Sequence, residues 1–352
     1  MRSRRSWWKA AVLCALLVAG GECVLEWMGL GHPILVTRQS AAKYELAPNQ
    51  YVQRRWPLSD GPISRVWTNR YGMRSGAVTA ERPPGVLRLY FLGDSMTYGT
   101  TEVDQSKIFA SLVGEELPGV VHERVQVLDG AAGGWAPANE LAYLREHGTM
   151  DANRVILVLN DGDPMQPEAA APDNEETPSV KMHPVFGYQE LWDRALEPLI
   201  TEKLVQWRLI PAPKALQGQA GDAVISNQEV LAENLQVLTE MHKLVDGSGG
   251  KMSIAFLPFV QSDFDSHTMY LVNEGRDAVK QWAARHGVPF LDLTQDLTPY
   301  GNRIRLRDHL HLNVEGNALV AHAIVRDWGL LDSTPKPEEM GPAAGPLKRA
   351  RL

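Results

Sequence analysis

The stretch Val86–Gly99, VLRLYFLGDSMTYG, decides how the rest of the chain is read. Val86, Leu87, Leu89, Tyr90, Phe91 and Leu92 form an apolar run without polar alternation, the pattern of a parallel strand covered on both faces. Gly93-Asp94-Ser95 then turns the chain where helical spacing begins. In open α/β sheets ligands bind at the carboxyl ends of strands. Ser95 therefore stands where a held, accessible serine becomes a nucleophile once a base reaches it. The plainer reading of Asp94 and Ser95 is that they cap a helix.

Outward from this stretch, strand and helix patterns alternate. Ser106 to Leu117 has helical spacing, Val120 to Leu128 reads as a strand and Pro137 to His147 as a helix. Arg154 to Leu159, RVILVL, is a third buried strand. Asn227 to Val245 is a long amphipathic helix with Leu231, Leu235, Leu238, Met241 and Val245 on one stripe. Met252 to Leu257 and Pro289 to Leu293 are two further strands, separated by a helix over Leu271 to His286. Asn313 caps a last helix whose Leu319, Val320, Ala323, Ile324 and Trp328 face inward. Repeated βα units predict a parallel sheet between two helical layers, the main domain running over 85–332.

The rhythm breaks over 163–223. Its first part is rich in Pro, Asp and Glu, Glu190 to Ile210 is helical in pattern but contains Pro198, and Ala215 to Asp222 is linker-like. An insertion directly after a strand end reads as a cover over the site, or as a surface excursion. Residues 32–84 lack helical periodicity and form an extended layer. Within it Asn69 to Arg74 reads as a tight turn in which Gly72 supplies a positive φ. The tail 333–352 has the composition of a disordered segment.

Residues 1–31 form a targeting segment. Arg2, Arg4, Arg5 and Lys9 precede an apolar run from Ala10 to Gly21 that ends in small residues. Ser3 to Lys9 resembles a twin-arginine export signal. With about a dozen cleanly apolar residues against the ~20 a span requires, and Glu22 and Glu26 following, the pattern favours a cleaved signal peptide. An uncleaved anchor running to about Leu30 is the alternative. Either way the body is exported, periplasmic or anchored facing the periplasm.

The 352 residues are 44% hydrophobic and 22% charged, enough for a sizeable core, and a net charge of −7 gives no reason to expect nucleic acid as a partner. The two cysteines, Cys14 and Cys23, both lie in the targeting segment, which excludes a disulfide framework or a cysteine zinc site in the body. The histidines show no metal-ligand clustering, and neither metal nor cofactor is expected.

Four separated pieces converge at strand ends: Gly93 to Gly99, Gly133-Gly134-Trp135, Asn160-Asp161, and Asp308 to Asn313. Together they resemble, in order over about Leu87 to Leu331, the blocks of the GDSL, or SGNH, family of serine hydrolases, and the N-terminal signal with the turn from Asn69 to Arg74 further resembles a bacterial exported subgroup of it. The resemblance implies a flavodoxin-like three-layer α/β/α sandwich with Ser95 as nucleophile and Asp308 and His311 completing the triad. It places the oxyanion hole on Ser95, Gly134 and Asn160. Val158 stands where many members have glycine, and Asp129-Gly130-Ala131 where many have N-x-G. Trp135 reads either as lining the substrate pocket or as packing.

The chemistry fits the residue types. A serine hydroxyl needs a base to take its proton, an imidazole can take and return that proton near neutrality, and an aspartate fixes the imidazole tautomer. His309 lies one residue from Asp308 and reads as structural. The resemblance implies, as the expected activity, hydrolysis of a small acyl ester, such as O-acetyl on carbohydrate. Two alternatives are an acyltransferase acting on an envelope polysaccharide and an inactive carbohydrate-binding module. The expected partner is a small-molecule or carbohydrate ester, with membrane contact only through the N-terminal segment if it is retained.

Overall fold

The computed structural model describes residues 2–171, 184, 186–207, 209–210, 228–259 and 266–333. The expectations for 172–183, for the linker at 215–222 and for nearly all of the tail lie outside these residues.

Five parallel strands form the central sheet: β5 (Val86–Gly93), β6 (Arg124–Ala131), β7 (Arg154–Asn160), β8 (Lys251–Leu257) and β9 (Phe290–Asp292). Their order is β6-β5-β7-β8-β9. Both faces are covered, so both sets of alternating side chains are apolar. Tyr90, Leu92, Val155, Leu157, Ile254 and Phe256 enter one core beside the helices Pro137–His147, Gln228–Gly247 and Ser266–His286. Leu89, Phe91, Ile156, Val158, Ala255 and Leu257 enter the other, with Phe109–Glu116 and Val314–Arg326. The fold is the flavodoxin-like three-layer α/β/α sandwich. Its strand order reverses at β5, so the crevice opens at the carboxyl ends of β5 and β7.

β6 begins later than the sequence pattern suggests. Pro118–Val121 closes a helical turn with proline in its first position, and His122 ends it in the left-handed region at φ 58°. Only then does the chain extend. The departure at Val158 is accommodated in the core, where it pairs with Gly93 and is buried.

Ahead of the sheet lie two small antiparallel pairs, β1 (Val36–Thr37) with β2 (Glu45–Leu46), and β3 (Tyr51–Arg55) with β4 (Ile63–Trp67). Their apolar residues Ile34, Tyr44, Leu46, Val52 and Val66 join the first core. The N-terminal helix Arg2–Met28 is longer than the expected apolar run, because it continues through Gly20 and Gly21 into Val24, Trp27 and Met28. Its Trp7–Met28 portion is 22 residues with mean hydropathy 1.7 and no buried residue, long and apolar enough to cross a membrane. That is compatible with a signal sequence or an anchor.

Candidate active site

Ser95 is placed by a turn that requires glycine on one side and aspartate on the other. A Cβ at Gly93 would meet Thr97 Oγ1 at 2.2 Å and the Val158 carbonyl at 2.9 Å, so the strand can end there only without a side chain. Asp94 caps the short helix Ser95–Tyr98, its Oδ1 accepting the Met96 N–H at 2.8 Å. Gly99, at φ 76°, closes that helix and donates to the Ser95 carbonyl at 2.9 Å. The capping role and the strand-end serine thus coexist: Asp94 caps, and Ser95, half-buried, begins the helix.

Asn160 ends β7 beside this turn. Its Nδ2 donates to Asp94 Oδ2 at 3.0 Å, and its Oδ1 accepts the Gly162 N–H at 2.8 Å. Those two partners fix which end of the amide is the donor, and leave a second N–H free of Asp94. The Asn160 backbone N–H donates to Asp163 Oδ2 at 2.7 Å. Burial, first, and then the nearby charges of Asp94 and Glu140 push the Asp163 carboxyl well above its ordinary value. Burial also raises Asp94, against its hydrogen bonds from Met96 and Asn160 and the charge of His311.

The Gly133-Gly134 loop follows β6. A Cβ at Gly133 would lie 3.9 Å from Ser95 Cβ, and Gly134 sits at φ 81°, the conformation that favours glycine. Tyr44 Oη donates to the Gly133 carbonyl at 2.7 Å, holding the loop from the N-terminal layer. The backbone N–H groups of Ser95 and Gly134 form no hydrogen bond among the described residues. Trp135 is 1% exposed, donates through Nε1 to the Tyr44 carbonyl at 2.9 Å, and packs with its ring 4.9 Å from that of Tyr143. It offers no surface to a pocket; the expectation that it lines one gives way to packing.

The loop before Val314–Arg326 brings the fourth piece. His309 takes φ 60° and is exposed, which lets the chain double back. Asp308 Oδ1 then accepts the N–H groups of Leu310 at 2.9 Å and His311 at 3.0 Å, while Oδ2 lies 2.6 Å from His311 Nδ1. His311 Nε2 is buried and has no hydrogen-bond partner among the described residues. Burial opposes the charged imidazole, but the Asp308 hydrogen bond and charge, then Asp94 and Glu102, outweigh it and raise the His311 pKa above its ordinary value. Burial likewise works against the Asp308 carboxylate, and its bonds to His311 and the two backbone N–H groups hold it below the ordinary range. Asp94 and His311 lie within reach of each other's charge, which puts the histidine loop near the serine turn.

Several positioning residues were not legible as such. Arg74, in the turn read as ordinary, is fully buried and reaches the carbonyls of Tyr98 and Thr100, both at 2.5 Å, and of Val103 at 2.6 Å. It braces the segment leaving the serine helix. Gly72 does supply the turn's positive φ, at 71°. Arg305 braces the histidine loop, donating to the carbonyls of Leu310 at 2.9 Å and Pro258 at 2.6 Å. Gln166, early in the insertion, donates to the Gly134 carbonyl at 3.1 Å. Asp161 instead holds the end of β8, accepting the Phe259 N–H at 2.8 Å.

Among the described residues one group has metal-ligand character: Glu45, Glu146 and His147. Its atoms are already engaged. His147 Nε2 lies 2.8 Å from Glu45 Oε2, and Glu146 accepts the Ala41 N–H at 2.7 Å. It clasps the N-terminal layer to the helix Pro137–His147.

The sequence matches the GDSL-like lipase/acylhydrolase family over residues 91–319. The chain belongs to that family. The match contains all four pieces of the site. Similar solved structures include a lipolytic G-D-S-L family protein from Veillonella parvula, at 13% identity and TM-score 0.41, covering 69% of this chain and 98% of that one. A catalytic mutant of an acetylxylan esterase from Geobacillus stearothermophilus matches at 16% identity and TM-score 0.41, covering 69% and 94%. A lipase/acylhydrolase from Enterococcus faecalis matches at 16% and 0.42, covering 68% and 94%. No curated protein matches the sequence.

Proposed function

We propose that this GDSL-family hydrolase is an exported serine esterase that cleaves a small acyl ester, such as O-acetyl on carbohydrate, through an acyl-Ser95 intermediate. One observation carries the reading. His311 has its Nδ1 on Asp308 and a buried Nε2 without a partner among the described residues, on a loop near the serine turn. A buried polar atom without a partner is costly unless it has a use.

In the first step Ser95 Oγ attacks the acyl carbonyl and its proton passes to His311 Nε2, while Asp308 holds Nδ1–H and stabilises the imidazolium. The oxyanion accepts from the Ser95 and Gly134 N–H groups and from Asn160 Nδ2, donors fixed before the charge develops. Collapse breaks the ester bond, and the alcohol leaves with the proton from His311. Water then adds to the acyl group with His311 again as base, releasing the acid and restoring Ser95. Free hydrogen-bond geometry between serine and histidine commonly tightens only when substrate is bound.

A fluorophosphonate probe tests the reading. The expected result is a single adduct on Ser95, located by mass spectrometry and absent in Ser95→Ala. Labelling at another residue, or labelling that persists in Ser95→Ala, overturns it.

A further inference from the structure

The insertion after β7 holds a helical segment turned inside out. It runs through Gly187–Leu191, a π-turn at Trp192–Leu196, and Glu197–Gln206. A charged pairing ties it to the protein: Glu190 is fully buried, accepts the Gly31 N–H at 2.7 Å, and pairs with Arg54 at 2.5 Å and Arg194 at 2.7 Å. Its outward face is largely apolar, with exposed Lys203 the charged residue set among it. Tyr188, Trp192, Leu196, Leu199, Ile200 and, just beyond, Trp207 are all exposed. The spacing places them on one stripe, which a helix surrounded by water would bury.

Beside it stands the helix Arg2–Met28. Glu22 accepts the N–H groups of Gly187 and Tyr188, and Tyr188 Oη donates to the Val18 carbonyl at 3.2 Å. Exposed tryptophans mark both ends of this helix, Trp7 and Trp8 near the basic start and Trp27 at the other end. At ~1.5 Å per residue Trp8 and Trp27 are about 28 Å apart, close to the ~30 Å of a bilayer's hydrocarbon core. Tryptophan at each boundary and basic residues on the inner side are the marks of a span. Measured along the same axis, Glu22 and the Gly187 N–H it accepts lie about 7 Å inside the level of Trp27. That is the ~5–10 Å depth at which amphipathic helices rest in a membrane surface. Exposed Trp56 lies in the turn after β3, where Arg55 covers the Trp27 ring at 4.7 Å.

We propose that the segment 187–207 lies in the membrane surface with its apolar stripe among the lipid acyl chains, beside an N-terminal helix that is retained as the anchor. The occupant of the stripe is the bilayer. The proposal rests on the reading that the chain is exported, and is independent of the esterase chemistry. It adds a second membrane contact to the one expected through the N-terminal segment.

The test uses the full chain carrying Cys14→Ser and Cys23→Ser, with one cysteine introduced as Leu199→Cys or, on the exposed stretch before β6, Glu123→Cys. Each is labelled with an environment-sensitive fluorophore and reconstituted into vesicles of phosphatidylethanolamine and phosphatidylglycerol. The expected result is a blue-shifted emission at 199 that lipid-borne nitroxides quench, and a water-like emission at 123 that they do not. Water-like emission at 199 overturns the proposal. So does a blue shift that lipid nitroxides leave untouched, since the stripe is then covered by protein, whether a second copy or another part of this chain. Fluorophosphonate labelling of the same samples reads the esterase proposal separately, and a thermal melt confirms that each variant is folded.

Discussion

Replacing Asp308 by asparagine isolates the tautomer of His311 from everything else the loop does. The amide oxygen brought in by Asp308→Asn can still accept the Leu310 and His311 N–H groups that Oδ1 now accepts at 2.9 and 3.0 Å, so the turn persists. The change falls on Oδ2, 2.6 Å from Nδ1. An amide nitrogen there donates, so the ring must place its proton on Nε2, the atom that has to receive the serine proton. The same exchange in a Ser-His-Asp protease costs about 10⁴ in kcat. Here the Asp308 side chain is 43% exposed, so water can stand in for part of the lost acceptor. The expected loss in kcat/KM on p-nitrophenyl acetate is therefore about 10³, or ~4 kcal/mol of transition-state stabilisation. A second signature goes with it. The neutral imidazole is the base, so activity in the wild type rises through a pKa above 6.5, and without the Asp308 carboxylate burial is opposed only by the charges of Asp94 and Glu102, so that limb moves down. The signs for stability follow from the same shifts. The raised histidine stabilises the fold below its unfolded pKa and ceases to as pH rises past its folded one; the depressed aspartate does so above its unfolded pKa and ceases to as pH falls. The melting temperatures of wild type and variant should differ most between the ordinary values, 3.8 and 6.5, and differ less above the folded histidine pKa, where only the aspartate's share remains. A loss below tenfold with the acid limb unmoved would refute the assignment of Asp308.

His311→Ala should abolish turnover with little change in melting, whereas His309→Ala, at an exposed position, should leave turnover largely intact; the reverse pattern would reassign the base. Asn160→Ala should lower kcat by about 10²–10³, measured on the same ester with acylation limiting, and an unchanged kcat would make Asn160 structural. Arg74→Met should cost about 3 kcal/mol or more in a denaturant melt, since it strands three buried carbonyls at roughly 1–3 kcal/mol each; a loss below about 1 kcal/mol would show that the segment after Ser95 holds itself.

What could be read from the sequence is what is local. The apolar runs of β5 and β7 announce strands buried on both faces, and GDS, Gly134, Asn160 and Asp308 to His311 each sit at a strand end or before a helix, where a short window contains both the motif and its setting. The bracing residues could not be read, because their partners lie far along the chain. Arg74 acts on carbonyls 24 to 29 residues away and Tyr44 on one 89 residues away, and no periodicity records such distances. The turn at 69–74 was therefore legible as a turn and not as a brace. For the insertion the sequence pattern indicates a helix over Glu190 to Ile210, but periodicity does not say which side of a helix the protein occupies. Trp135 had the same ambiguity, resolved only by the 1% exposure that buries it.

The braces from the N-terminal layer change what counts as the unit of inheritance here. The family match starts at residue 91, yet Tyr44 holds the Gly133 carbonyl, Ser75 holds the Asp129 N–H at 2.7 Å, and Arg74 spans three carbonyls beyond Ser95. A gene trimmed to the family's borders would express the proposed nucleophile and discard its scaffolding. Exchanging substrate specificity between relatives by swapping the conserved segment alone should accordingly yield proteins that carry every reacting group and work poorly. Grafts that begin upstream of β2 keep the reacting groups and their supports on one inherited piece.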